Sequence, residues 1–278
     1  MLCAYADGCL TAEETLLLSD ARGRAFLERQ SMPGGMASVG LSWAEMKARC
    51  PAGIHIACNN GPTNVSISGP IEKIQAFVKS LQEQGVFATE VNTCGTSPHC
   101  VYVDPVRALM EKYFSEILGD TEKERSSKWI STSVPQDRVQ TEGLYSSALY
   151  HAKNARNPVL FYEAVKQMPK NALVLEVGPR GLFQAILKET VPPESYYVKL
   201  MDSKATRWGT THFLDAIGKL YTRGVPVNIG KLYPPVSFPV PSDTPSLGDL
   251  ASWDHQMSWK VPVIKYPRVC VFQHHHHV

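Results

Sequence analysis

Apolar and polar positions along this chain repeat with two periods, and the changes of period mark the elements. "AEETLLLSDARGRAFLERQ" (12–30) places Leu16, Leu17, Ala21 and Phe26 at helical spacing, which predicts a helix burying that face. Thr11 and Glu14 in front of it fit the reciprocal T-x-x-E cap. From 36 to 91 the period switches repeatedly. "MASVGL" predicts a strand, and "SWAEMKAR" a short helix capped by Ser42 and Glu45. "IHIACNN" and "TNVSISG" alternate at period two around a turn with the residues "NGP". "PIEKIQAFVKSLQEQG" sets Pro70 at a helix start and Gly85 at its end, and "VFATEV" closes as a strand. The order βαββαβ predicts a ferredoxin-like unit, one antiparallel sheet with both helices on one face.

Beyond it the pattern returns to α and β in alternation. "DPVRALMEKYFSEIL" reads as a helix capped by Asp104, "KWISTSV" as a strand, and "LYSSALYHAKN" and "PVLFYEAVKQM" as helices. "ALVLEVG" is a continuous apolar run, the pattern of a buried parallel strand, leading into a helix that starts at Pro179. "YYVKLM" and "THFLDAIGKLYTRG" repeat the strand–helix alternation. The pattern predicts an α/β body interrupted by the ferredoxin-like unit: 1–35 the start of the body, 36–91 the insert, 92–225 the rest of the body. From 226 to 278 Pro and Ser dominate, and a linker and tail are expected. Within that tail "WDHQMSWKVPV" could dock on a neighbour, and metal binding by "HHHHV" is expected to be incidental.

Composition narrows the function classes. Twenty-eight basic and 26 acidic residues are well mixed, so no basic face suited to nucleic acid is expected. No apolar run reaches the length of a membrane span, and the first residues lack the regions of a signal peptide. Seven scattered cysteines without a C-x-x-C pair predict free thiols in a reducing, cytoplasmic setting.

One stretch carries candidate chemistry: "TCGTSPHC" (93–100), with His99 just past a predicted strand end. Cys94, His99 and Cys100 fit no zinc spacing and lack a fourth ligand, so no metal is expected. Cys100 adjoins His99, and adjacent side chains seldom face each other, which makes a Cys–His dyad a poor reading. "EVGPRG" has neither form of the phosphate-binding glycine pattern. Arg22, in the middle of the first helix, reads from pattern alone as part of a solvated face.

The ordered segments "YADGCLTAEE", "MASVGLSWAEMKARCPAGI", "NVSISGP", "GVFATEV", the His99 stretch, "STSVPQ", "NPVLFYEAV", "LEVGP", "LYPPVSFPVPSDTP" and "WDHQMSW" resemble the acyltransferase domain of animal type I fatty acid synthase. The resemblance covers most of the chain. It implies an acyltransferase (hydrolase-like) α/β body. Its implied activity is transfer of a malonyl or acetyl group from malonyl-CoA or acetyl-CoA to the phosphopantetheine thiol of an acyl carrier protein. No permanently bound cofactor is implied, and the implied neighbours are the ketosynthase and dehydratase of the synthase.

By the same resemblance His99 is the general base of a Ser–His mechanism, Asn154 belongs to the segment that orients its imidazole, and Arg22 grips the free carboxylate of malonyl. The serine of that family stands on a GHSxG elbow. This sequence contains no G-x-S-x-G, and the resemblance puts the elbow about five residues before the position of Met1. The expected α/β body is therefore incomplete and inactive alone, with a non-catalytic carrier-binding role as the alternative. Pro98 stands where the family often has an aromatic residue, and Cys100 where it has serine, so acyl-chain selectivity does not carry over.

Overall fold

The computed structural model describes residues 1–29, 33–178, 183–202 and 209–235, with Gly181, Phe238, Gly248 and Gln256. The expected helix start at Pro179, most of the 226–278 tail and the "HHHHV" run lie outside the described residues. The chain divides into two compact units, Met1–Pro226 and Val227–Val278. In the second, a 3₁₀ turn spans Ile229–Leu232.

The first unit opens with α1 (Leu2–Ala6) and α2 (Ala12–Glu28). The Thr11–Glu14 cap is formed in both directions, satisfying amide groups that the first helical turn leaves without partners. The buried stripe of α2 differs from the expected one. Thr15, Leu18, Ala21 and Ala25 face inward, while Leu16 and Leu17 are 71% and 46% exposed. Three consecutive leucines leave the helical phase open. The two alanines settle it, because their small side chains let α5 (Asp104–Leu118) approach closely. That helix contributes Val106, Met110, Phe114 and Leu118, four apart along one face, to the body core. Asp104 is not its cap. It has helical backbone angles, and its carboxylate meets Arg156 Nε at 3.1 Å and Arg107 Nε at 3.9 Å.

Between them lie β1 (Gly34–Val39), α3 (Trp43–Arg49), β2 (His55–Gly61), β3 (Asn64–Pro70), α4 (Ile71–Glu83) and β4 (Ala88–Val91). The strands form one antiparallel sheet in the order β4-β1-β3-β2, the ferredoxin-like arrangement. Met46 of α3 and Ile74, Val78 and Leu81 of α4 pack with Ala37, Val39, Val65 and Ile67 in a core of their own, as the alternation required. Pro70 precedes α4 and Gly85, at φ +75°, follows it, the left-handed turn for which glycine is suited.

The rest of the unit comprises β5 (Lys123–Glu124), α6 (Val139–Glu142), β6 (Tyr145–Ser146), α7 (Ala148–Arg156), β7 (Val159–Leu160), α8 (Phe161–Val165), β8 (Leu173–Glu176), α9 (Gln184–Thr190), β9 (Tyr196–Lys199) and α10 (Gly209–Thr222). β7 runs parallel to β2 and extends the ferredoxin-like sheet, so Val159 and Leu160 leave the helix expected for "PVLFYEAVKQM". "KWISTSV" is not a strand. Ser131 and Ser133 meet their polar needs through side-chain contacts, and Thr132 O accepts one hydrogen bond, from Leu160 N–H at 2.7 Å. β8 pairs in parallel with β9, as the alternation predicted. It is not buried: Leu175 is 39% exposed, because among the described residues this sheet has two strands and both are edges.

His151 of α7 is 3% exposed, accepts or donates at 2.9 Å between Nε2 and Ser146 Oγ, and stacks on Trp129. Burial pushes its pKa down from 6.5 to about 4. In the unfolded chain the same ring protonates at its ordinary value, so acid favours unfolding between these two points. Stability is full above pH 6.5 and falls as the pH drops through about 4, by about 3 kcal/mol from this group. Urea midpoints measured across that window check this, and His151→Gln should flatten the dependence.

Candidate active site

His99 sits in a loop pinned from several sides. Thr93 and Thr96 exchange side-chain-to-backbone bonds of 2.7 and 2.8 Å, and Gly95 O accepts from Gly34 N–H at 2.8 Å. Ser97 Oγ donates to Gly69 O at 2.7 Å. Gly34 cannot be replaced here, because an added Cβ would stand 1.9 Å from Ser97 Oγ. The loop is thus fastened to β1 and the end of β3 before it delivers His99.

The backbone at His99 is left-handed, φ +60°, a conformation that costs a non-glycine residue about 1–2 kcal/mol. Its amide holds it there by donating to Ala155 O at 2.9 Å. The ring Nδ1 lies 3.0 Å from Asn157 O. A carbonyl only accepts, so Nδ1 carries the proton and Nε2 keeps its lone pair. Both acceptors lie at the C-terminal end of α7, where helical carbonyls run out of partners and the helix dipole is negative. Pro158 sets this up. The residue before a proline avoids helical angles, and Asn157 is extended, at ψ 152°.

Two opposing influences act on the imidazole. Burial pushes its pKa below the usual histidine range, and Arg22 adds to that. The Asn157 and Asn154 carbonyls pull the other way, and the net shift is downward. The ring is therefore a neutral base near pH 7, beside carbonyls that stabilise the imidazolium once it takes a proton.

Arg22 is half-buried on α2, close enough to His99 and to the Met1 amine for its charge to act on both. Burial lowers its pKa. Among the described residues its guanidinium has no ion pair, while the neighbouring Arg24 holds Asp20 at 3.0 Å. A half-buried cation left without a carboxylate suits an anionic ligand. Asn154 lies in the last turn of α7. Its backbone carbonyl acts on the ring, while its side chain donates to Ser133 Oγ. Asn157 O, the carbonyl that accepts the Nδ1–H hydrogen bond, was not among the residues read from sequence, although a residue before proline is biased away from helical angles.

Cys94 and Cys100 are not set up as nucleophiles. Cys94 is exposed, and the buried Cys100 donates its thiol to Ser97 O at 3.1 Å, with burial raising its pKa. Among the described residues no three His, Cys, Asp or Glu side chains are placed to hold a metal ion, and no helix is long and apolar enough to cross a membrane.

Comparisons with known proteins assign the chain to a family. A family model described as the acyl transferase domain matches residues 1–223. The chain is 29% identical over 245 residues to the highly reducing polyketide synthase sphB of Aspergillus fumigatus, covering 83% of this chain and 9% of that one. It is 32% identical over 241 residues to the highly reducing polyketide synthase aurA of Calcarisporium arbuscula, covering 79% and 9%. It thus spans about a tenth of the length of these curated relatives. Among solved structures, the acyltransferase domain from the second module of the salinomycin polyketide synthase superposes with a TM-score of 0.65 at 24% identity, over 84% of this chain and 54% of that one. With the match reaching across four-fifths of its residues, the chain belongs to the acyl transferase domain family.

Proposed function

We propose that this chain is part of a malonyl/acetyl transferase that moves an acyl group from coenzyme A to the phosphopantetheine thiol of an acyl carrier protein. The observation that carries the reading is the His99 imidazole, with Nδ1 tied to Asn157 O, Nε2 keeping its lone pair, and nearby an Arg22 that has no ion pair among the described residues. A serine on an elbow outside residues 1–278 supplies the nucleophile. His99 Nε2 takes the serine proton as the oxygen attacks the thioester carbonyl. The imidazolium then returns that proton to the departing coenzyme A sulfur, leaving an acyl-serine. In the second half His99 accepts the carrier thiol's proton while sulfur attacks the acyl-serine, and gives it back to the serine oxygen. Both substrates carry their own handle, so the cycle calls for no resident cofactor.

The finer assignment is to the animal type of fatty acid synthase, with a ketosynthase and a dehydratase as neighbours in the cytoplasm. It rests on the ordered segments quoted above, including "LYPPVSFPVPSDTP" and "WDHQMSW". The curated relatives quoted above are polyketide synthases, and with them the chain shares the transfer of acyl groups as the proposed reaction.

The test uses a chain extended with a GHSxG elbow and both acyl donors. Arg22→Ala should lower malonyl transfer about ten- to a hundredfold, the cost of one charge-assisted hydrogen bond of about 1.5–3 kcal/mol, and leave acetyl transfer nearly unchanged. Equal losses for the two would remove Arg22 from the carboxylate contact. The second reading, a non-catalytic carrier-binding role, is favoured by the absence of G-x-S-x-G, and an extended chain with no transfer of either acyl group would support it.

A further inference from the structure

We infer that Ser133 is a positioning residue for His99, acting through the two asparagines whose carbonyls face the imidazole. The inference rests on the reading of His99 as the base. Ser133 is 5% exposed, and its two oxygens are both used on the 154–157 stretch. Oγ accepts from the Asn154 side chain, and the backbone carbonyl accepts from Asn157 Nδ2 at 3.2 Å. Asn157 is thereby held at three points: its own N–H on Lys153 O at 2.8 Å, its amide on Ser133, and its carbonyl on His99 Nδ1 at 3.0 Å.

Ser133 can hold because it is itself fixed. Its N–H donates to Ser131 Oγ at 3.1 Å, and that hydroxyl lies 2.8 Å from Tyr150 OH on the first turns of α7. Gln136 Nε2 donates to Ser131 O at 3.0 Å, and Thr132 O accepts from Leu160 N–H. The 131–133 segment therefore spans α7 from Tyr150 to Asn154 and grips the chain beyond it at Asn157 and Leu160. A helix end followed by an extended residue is free to swing unless something outside the helix fixes it. Here the direction of the Asn157 carbonyl decides which ring nitrogen of His99 is protonated, and Ser133 is the outside support.

The tautomer can be read directly on residues 1–278, without activity. Histidine-labelled protein is examined by two-dimensional ¹H–¹⁵N spectroscopy of the imidazoles, with His99→Gln assigning the ring. The wild-type ring should be the Nδ1–H form. Ser133→Ala keeps the backbone carbonyl on Asn157 but frees Asn154 and so loosens the last turn that carries Asn157; it should shift the ring toward the Nε2–H form, and Ser133→Thr, which keeps the hydroxyl, should restore it. Should the alanine variant fail to fold, Asn154→Ala removes the same contact from the other side and should give the same shift. A folded Ser133→Ala or Asn154→Ala protein with an unchanged Nδ1–H ring overturns the inference. A wild-type ring already in the Nε2–H form would instead overturn the reading of His99 as the base, so the two failures are distinct. In a chain extended with the elbow, Ser133→Ala should lower kcat about tenfold with KM unchanged.

Discussion

Replacing His99 by alanine, in a chain extended with the serine elbow, should lower acyl transfer by about 10² to 10⁴, the usual contribution of a positioned general base. The loss should fall on kcat, because the ring acts on a proton that moves in the transition state, and substrate binding should change little. The acid limb of the pH–rate profile provides the complementary check. His99 works only when neutral, and burial and Arg22 hold its pKa below the ordinary 6.5. Activity should therefore persist to a pH lower than an exposed histidine would allow, and fall as the ring protonates. Removing Arg22's charge should move that limb to higher pH, since one of the influences lowering the pKa is gone. A limb at or above the ordinary histidine range would contradict the burial and charge described for the site.

The second large effect is on stability. Phe114→Ala should destabilise the first unit by about 3–5 kcal/mol, read as a lower urea midpoint. Phe114 is fully buried on α5, in the core formed with α2 and α7. The alanines Ala21, Ala25, Ala152 and Ala155 on the facing helices have no spare length with which to fill the space. A loss of that size is a large part of the total stability of a domain, about 5–15 kcal/mol. The same core carries Arg22 on α2 and the histidine-facing carbonyls on α7. The variant extended with the elbow should therefore lose activity with temperature well before the parent does.

The two capping boxes, the βαββαβ order and the alternating half-buried strands are local properties. Each cap, strand and helix is set by residues close together in the chain, and each can be read from the order of residue types. The candidate residues His99, Arg22 and Asn154 were legible in another way, through the ordered segments that resemble a known family, since pattern alone read Arg22 as surface.

What the sequence did not determine is where the pieces meet. The phase of "TLLLS" stayed open until α5 packed on Ala21 and Ala25 and turned Leu16 and Leu17 outward. "KWISTSV" has the residue types of a strand, yet its serines are tied to α7 and the Asn157–Leu160 stretch and no ladder forms. "ALVLEVG" became a parallel strand, but its exposure depended on how many strands lie beside it. The site follows the same division. The sequence alone supplied the ring and its Asn–Pro neighbour. Only the tertiary structure brought Asn157 O within 3.0 Å of Nδ1 across 58 positions, and so chose the tautomer. That choice is non-local because the energy of a hydrogen bond depends on distance and angle in space.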